Sequence, residues 1–190
     1  MNMPADSSAN LLGALALFVG ERMREAVTGA VGAGGAPAEA LIAIKDQPGC
    51  TAEWLVGVLK LSQPGVAHVV RRLGEAGWIE RRPGPDGRSR GLHLSPAGRE
   101  VAARVLTARE DVLVDMVEDL SVAERDHLRA VADRLLRPSA RTDRDLGRLC
   151  RLCDRSRCAP CPVHEGYLTA CDERPAGDEH VGPVTHLPEG

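Results

Sequence analysis

The spacing of apolar residues changes twice along this chain, and that change constrains its fold most. Between residues 9 and 76 hydrophobic side chains recur at three- and four-residue intervals, the period of amphipathic helices. After Gly77 the pattern becomes two short strands around the turn Pro83-Gly84-Pro85-Asp86-Gly87. Helical spacing returns at Ser95-Pro96, an N-cap followed by proline, and lasts to Arg137. The order predicts a mainly α-helical (α+β) fold with one small β-hairpin.

The helical stretches differ in length. A long helix over 9–31 is followed by short ones at about 38–45 and 51–59 and by a third that begins at Ser62. Two long helices follow the hairpin, the second opened by a capping box at Ser121 and Glu124. Cys50, in the turn before the 51–59 helix, is predicted to be a small buried side chain.

Charge is distributed unevenly. The whole chain has a net charge of -3, but residues 60–99 hold eight basic side chains against three acidic ones, which is +5 and leaves -8 for the remainder. A basic centre in an acidic chain favours a local contact with phosphate and limits adhesion elsewhere.

Three short helices followed by a hairpin with Arg88 and Arg90 at its tip have the element order of a winged helix-turn-helix. In that arrangement one helix lies in the major groove, which is about 12 Å wide. Arginines of the hairpin, the wing, can enter the narrower and more electronegative minor groove. The predicted ligand is double-stranded DNA.

Five segments in this order resemble the MarR family of transcription regulators: Pro48–Leu55, Leu61-Ser62, Val70–Pro83, Asp86–Arg90 and Leu94–Arg99. The resemblance covers residues 9–137, with a DNA-binding core at 38–95. It implies a homodimer whose long helices intertwine and which presents two recognition helices to a palindromic operator.

The resemblance also implies which residues lie near DNA. They are Ser62, Gln63, Gly65, His68, Arg71 and Arg72 of the recognition helix, and Arg81, Asp86, Arg88 and Arg90 of the wing. Gln63 or His68 would contact base edges, and the arginines would contact phosphates. The sequence departs from the family pattern at Pro64-Gly65 and Ala67, where hydroxyl side chains are usual, so fewer hydrogen bonds are expected from that turn.

Residues 138–172 form a cysteine-rich segment. Cys150, Cys153, Cys158 and Cys161 follow the pattern C-x2-C-x4-C-x2-C, and two such pairs can place four thiolates around Zn²⁺, with His164 and Cys171 as alternate ligands. The spacing from Cys153 to Cys161 also matches plant-type iron–sulfur proteins. A metal-free thiol/disulfide switch is the third reading.

These features together predict a cytoplasmic, non-enzymatic regulator, a repressor whose DNA affinity responds to a small-molecule effector, a metal or the redox state. A thiol-based redox enzyme and a protein-interaction module are the alternatives. No membrane contact is expected, because the apolar run at 11–19 is about half the length that a bilayer-spanning helix needs. Residues 1–8 and 173–190 are expected to be disordered.

Overall fold

The structure, a computed structural model, describes residues 7–83 and 90–173. The helices are α1 (Ser7–Val31), α2 (Ala36–Asp46), α3 (Ala52–Leu59), α4 (Gln63–Glu75), α5 (Pro96–Val117), α6 (Val122–Leu136), α7 (Asp143–Leu149) and α8 (Pro162–Asp172). The strands β1 (Ile79–Pro83) and β2 (Arg90–Leu94) pair antiparallel, with Ile79 opposite Leu94. Single turns of 3-10 helix lie at Arg137–Ser139 and Arg155–Arg157. The predicted fold class, mainly α with a β-hairpin, is confirmed.

Local capping explains where the helices α3 and α4 begin. The hydroxyl of Thr51 accepts a hydrogen bond from the backbone N–H of Trp54 at 3.1 Å, and Ser62 does the same for Gly65 at 3.3 Å. These bonds satisfy amides that a helix start leaves unpaired. The predicted capping box at Ser121 is present at the start of α6. The helix α1 begins at Ser7, two residues before the predicted start of the domain.

The main core joins α2 to α5 and the hairpin. Leu41, Ile42 and Ile44 of α2 are fully buried, and α3, α4 and the first half of α5 pack around them. The turn before α3 adds a short bridge to β2, in which the amide of Leu92 donates to the carbonyl of Cys50 at 2.9 Å. Cys50 is buried, as predicted, and burial raises the pKa of its thiol to about 12.

The cysteine-rich segment folds into a second, smaller core. Leu146 of α7 packs with Ala140, Cys150, Val163 and Tyr167, so this part of the chain is an ordered helical unit. A capping box between Thr142 and Asp145 opens α7.

Two helices leave most of their apolar side chains uncovered in the single chain. Val27 is the one residue buried in α1, and α6 buries none. The exposed large apolar side chains of these two helices are Leu11, Leu12, Leu15, Leu17, Phe18, Val122, Leu128, Val131, Leu135 and Leu136.

None of the described helices is by itself long and apolar enough to cross a membrane; α1 and α2, bent by 83° at their junction, pass that test together on length and composition only.

Candidate nucleic-acid interface and thiol cluster

The helix α4 separates a buried face from a polar one. Val66, Val69, Val70 and Leu73 face the core. The residues expected to contact DNA from this helix lie on the other side: Ser62, Gln63, His68, Arg71 and Arg72 are exposed and Gly65 is half-buried. Burial of one stripe therefore fixes which side chains α4 presents outward.

The exposed face of α4 carries an ordered polar row. Nη2 of Arg71 donates a hydrogen bond to Nδ1 of His68 at 2.8 Å, and Nε of Arg71 lies 3.8 Å from a carboxylate oxygen of Glu75. These contacts hold the guanidinium of Arg71 along the helix. Its ion pair with Glu75 is exposed and therefore weak, so a phosphate can replace the carboxylate.

The wing adds exposed cations beside α4. Arg81 and Arg82 on β1 and Arg90 on β2 are all exposed. Nη2 of Arg82 pairs with Glu80 at 3.0 Å. Asp86 and Arg88, predicted at the wing tip, lie outside the described residues.

The base of the wing is locked to α5. The hydroxyl of Ser95 donates to the carbonyl of Gly77 at 2.6 Å and accepts from the amide of Gly98 at 3.0 Å. A Cβ atom at Gly98 would overlap the carbonyl oxygen of Trp78, so glycine alone permits this close approach. The base of the hairpin is therefore held closely against the start of α5.

The four cysteines of the C-x2-C-x4-C-x2-C pattern come together. Cys150, Cys153, Cys158 and Cys161, called here the thiol cluster, line one cavity of about 130 Å³. Three leucines, Arg155, Pro162, Val163 and His164 line the rest of the cavity. Cys171 lies outside that lining and packs against the second core. All six cysteines of the chain are free thiols.

Hydrogen bonds between the thiols give the cysteines of the cluster different pKa values. The pKa of Cys150 is raised because its thiol shares hydrogen bonds with Cys153 and Cys161. The same bonds from Cys150 lower the pKa of Cys153 to about 7 and that of Cys161 to about 5. Burial raises the pKa of Cys158 to about 11.

The predicted metal ligands are neighbours without being arranged as a coordination site. Within residues 7–83 and 90–173, no group of three or more His, Cys, Asp or Glu side chains is placed to hold a metal ion. The thiols contact one another in a row from Cys153 through Cys150 and Cys161 to Cys158. They share a cavity toward which all four could turn.

The thiol cluster is joined to the helix-turn-helix by α7, which packs on α3. The indole Nε1 of Trp54 donates to Oδ2 of Asp143 at 2.9 Å. Next to this bond, a Cβ at Gly147 would lie 2.9 Å from the Trp54 ring and 3.0 Å from Val58, so the two helices approach closely.

Ion pairs between the cysteine-rich segment and the core surround this packing. Arg151 reaches Glu39 at 3.0 Å and Arg155 reaches Asp46 at 3.6 Å, both on α2. Arg144 lies 3.9 Å from Glu53 on α3, and Arg157 pairs with Glu110 on α5. Sequence reasoning missed these contacts. The local pattern Thr142-x-x-Asp145, a capping box, could have revealed α7 but not what α7 packs against.

Comparison with known proteins relates one part of the chain to a known family. The sequence profile of the MarR family matches residues 34–89, a range that includes α2, α3, α4 and β1. The resemblance to the MarR family that the sequence predicted is confirmed for these residues. Matching relatives are named HTH-type transcriptional regulators, in agreement with the regulator predicted from sequence.

A stretch of 78 residues is 32% identical to an uncharacterised HTH-type transcriptional regulator of Mycobacterium bovis, covering 40% of this chain and 54% of that protein. The chain thus spans about half the length of the curated relatives it matches.

Solved structures share the winged helix-turn-helix fold of this chain. A MarR family transcription regulator superposes with a TM-score of 0.60 at 21% identity, over 69% of this chain and 87% of that one. A mutant of MepR from S. aureus bound to an oligodeoxyribonucleotide superposes with a TM-score of 0.50 at 16% identity, over 68% of this chain and 95% of that one.

Proposed function

We propose that this protein is a sequence-specific repressor of transcription that binds duplex DNA as a homodimer. The observation that carries the proposal is the exposed face of α4, where Gln63, His68, Arg71 and Arg72 stand beside the exposed arginines of the wing. A protein of the same fold in complex with an oligodeoxyribonucleotide supports DNA as the ligand.

The roles of the side chains follow from their chemistry. Gln63, near the start of α4, offers an amide that can make two hydrogen bonds to an adenine edge, and His68 can contact a base one turn later. Arg72, Arg81 and Arg90 supply sequence-independent attraction to phosphates. The predicted wing-tip contacts of Asp86 and Arg88 remain part of this proposal.

A palindromic operator follows if two copies pair through their long helices. The partner that we propose for the exposed apolar side chains of α1 and α6 is a second copy of this chain. Monomeric proteins rarely expose large contiguous apolar patches, because such patches drive association. A twofold axis would set the two α4 helices about one turn of DNA apart.

Selection from random duplexes tests the DNA-binding proposal. We expect enrichment of an inverted repeat, bound at least about a thousandfold more tightly than random DNA at physiological salt. Equal affinity for selected and random duplexes would show a non-specific DNA-binding protein and overturn the repressor assignment. Transcription in vitro from a promoter that carries the repeat should fall when the protein is added; an increase would indicate an activator.

Sedimentation analysis tests the dimer. The double variant L128D/V131D places two carboxylates on the apolar face of α6 and should yield monomers. Leu168 of α8 is also exposed, so L168D is the matched control and should remain dimeric. A monomeric unmodified protein at micromolar concentration would contradict the dimer.

A small-molecule effector would have a place between the core and the cysteine-rich segment. A groove of about 490 Å³ there is lined by Lys45, Arg99 and Arg157 together with Glu110 and Asp154. We propose that it takes a small anionic effector. In a thermal-shift screen of small carboxylates, R99A should abolish any stabilisation that the unmodified protein shows; a shift unaffected by R99A would place the ligand elsewhere.

A further inference from the structure

The thiol cluster lies on other elements than the side chains proposed to contact DNA. Its four cysteines lie between α7 and α8, whereas the DNA-binding side chains belong to α4 and the hairpin. The proposed DNA contact therefore does not explain why four thiols line one cavity.

The backbone presents the thiols in two pairs. In the first pair, the amide of Cys153 donates to the carbonyl of Cys150 at 2.9 Å, so both thiols leave one tight turn that follows α7. In the second pair, Cys161 is the N-cap of α8 and Cys158 ends the turn before it. Two turns that face one cavity are the usual way in which a protein assembles four sulfur ligands.

Two half-buried arginines lie close enough to the thiol cluster to balance negative charge on the sulfurs. Nη2 of Arg109 faces the sulfur of Cys153 at 4.0 Å, and Nε of the same side chain is buried without a hydrogen-bond partner in the structure. Arg155, whose side chain is only 17% exposed, lines the cavity. Four thiolates around a divalent cation carry a net charge of -2, which these two guanidinium groups can offset.

We propose that Cys150, Cys153, Cys158 and Cys161 bind one Zn²⁺ ion as four thiolates, and that the bound ion holds α7 against the helix-turn-helix. Binding releases the protons of the thiols that are protonated at the time to solvent, and no electrons are transferred. The ion draws the sulfurs from their row of contacts into a tetrahedron, for which the cavity of about 130 Å³ leaves room.

The spacing of the thiols favours a single ion. With Zn–S bonds of about 2.3 Å, tetrahedral sulfurs lie about 3.8 Å apart, which is the range of sulfurs in contact. The four cysteines line one cavity of about 130 Å³, which suits a single ion surrounded by four sulfurs. An iron–sulfur cluster holds its thiolates further apart, and a disulfide would use only two of the four.

Only a few contacts separate the proposed zinc site from α4, the helix proposed to bind DNA. Cys150 directly follows α7, whose Asp143 accepts the hydrogen bond of Trp54 on α3, and α3 packs against α4. Arg151, within the first cysteine pair, and Arg155, between the two pairs, bind α2. Loss of the ion would free the segment that packs on α3, the helix that supports α4. This second half of the proposal rests on the proposed DNA-binding function.

Metal content of the chain purified anaerobically tests the site itself. We expect about one zinc per chain, no visible absorption, and loss of the zinc in C158S and C161S. Cys171 lies outside the cavity lining, so C171S is the matched control and should keep its zinc. Iron with acid-labile sulfide, or a protein without metal, would overturn the assignment.

Cobalt replacement keeps the test valid should a serine variant fail to fold. The unmodified protein, stripped with a chelator and titrated with Co²⁺, should develop tetrahedral and sulfur-to-cobalt bands that saturate at one ion per chain. Saturation without those bands would show oxygen or nitrogen ligands and contradict a four-thiolate site.

DNA affinity tests the coupling separately. Removing zinc should weaken binding to the selected duplex at least tenfold, and Zn²⁺ should restore it. A change of less than twofold would overturn the coupling and leave the zinc site standing. Zinc present in a protein that prefers no DNA sequence would contradict the proposed function alone, and specific DNA binding by a zinc-free protein would contradict the site alone.

Discussion

The indole Nε1 of Trp54 donates a hydrogen bond to Oδ2 of Asp143 across 2.9 Å and joins two residues that are 89 positions apart in sequence. The bond is half-buried and ends on a carboxylate. It ties the helix that supports α4 to the helix that leads into the thiol cluster, so the cysteine-rich segment and the winged helix-turn-helix are packed together.

Replacing Asp143 tests that link. D143A leaves the indole N–H without its acceptor and should lower the free energy of unfolding by about 1–2 kcal/mol. The chain has two tryptophans, so NMR should show two indole N–H signals, of which one moves in D143A. D143N keeps an acceptor oxygen and should restore most of the stability. Unchanged indole signals in D143A would show that the bond does not form in solution.

The close approach of α5 to the wing gives a second prediction. G98A introduces a Cβ that would overlap the Trp78 carbonyl, and the required shift should cost about 1–3 kcal/mol in a denaturant titration. G74A is the matched control, because nothing lies within 4 Å of a Cβ at Gly74. A stable G98A protein would mean that the hairpin base can move away from α5.

Replacing an arginine of the proposed DNA interface should change the salt dependence of DNA binding, whereas replacing another surface arginine should not. Each phosphate contact contributes about 0.9 to the slope of log affinity against log salt. R72A or R81A removes one contact from each subunit, so the slope should fall by about two per dimer. Arg141, whose side chain is 72% exposed at the start of the cysteine-rich segment, provides the control R141A. A slope that R81A leaves unchanged would place that residue away from DNA.

The pKa of Asp145 makes the stability of the capping box at the start of α7 dependent on pH. Burial raises this pKa, but hydrogen bonds from the Thr142 hydroxyl and from the amides of Arg141 and Thr142 outweigh burial and lower it. A lowered folded-state pKa means that the carboxylate stabilises the fold above the unfolded-state value of about 3.9, and that this contribution is lost as the pH falls through the folded-state pKa.

We therefore expect D145N to be less stable than the unmodified protein at pH 7, by about 0.5–2 kcal/mol, the usual value of a helix cap. The difference should shrink as the pH falls below about 4. E124Q, at the capping box of α6, is a control for the general effect of acid on such boxes. A difference that stays constant from pH 7 to pH 3 would show that the charge of Asp145 plays no part.

Much of the winged helix-turn-helix and its flanking helices could be predicted from local sequence. The hydroxyls of Thr51, Ser62, Ser95 and Ser121 cap the helices that they were predicted to begin. Such bonds form between residues two or three positions apart, so short motifs encode them. The polar face of α4 was predictable for the same reason, since helical periodicity alone decides which residues share a side.

The sequence by itself determined the order of elements, the basic centre of the chain and the clustering of four cysteines, because these depend on neighbouring residues and on composition. Tertiary structure alone decided that α7 packs on α3, that Trp54 meets Asp143 and that the four thiols share one cavity with Arg155. Those pairings join residues far apart along the chain, where no periodic pattern links the partners. They arise because the apolar side of α7 and the ring of Trp54 lose water only when the two helices come together.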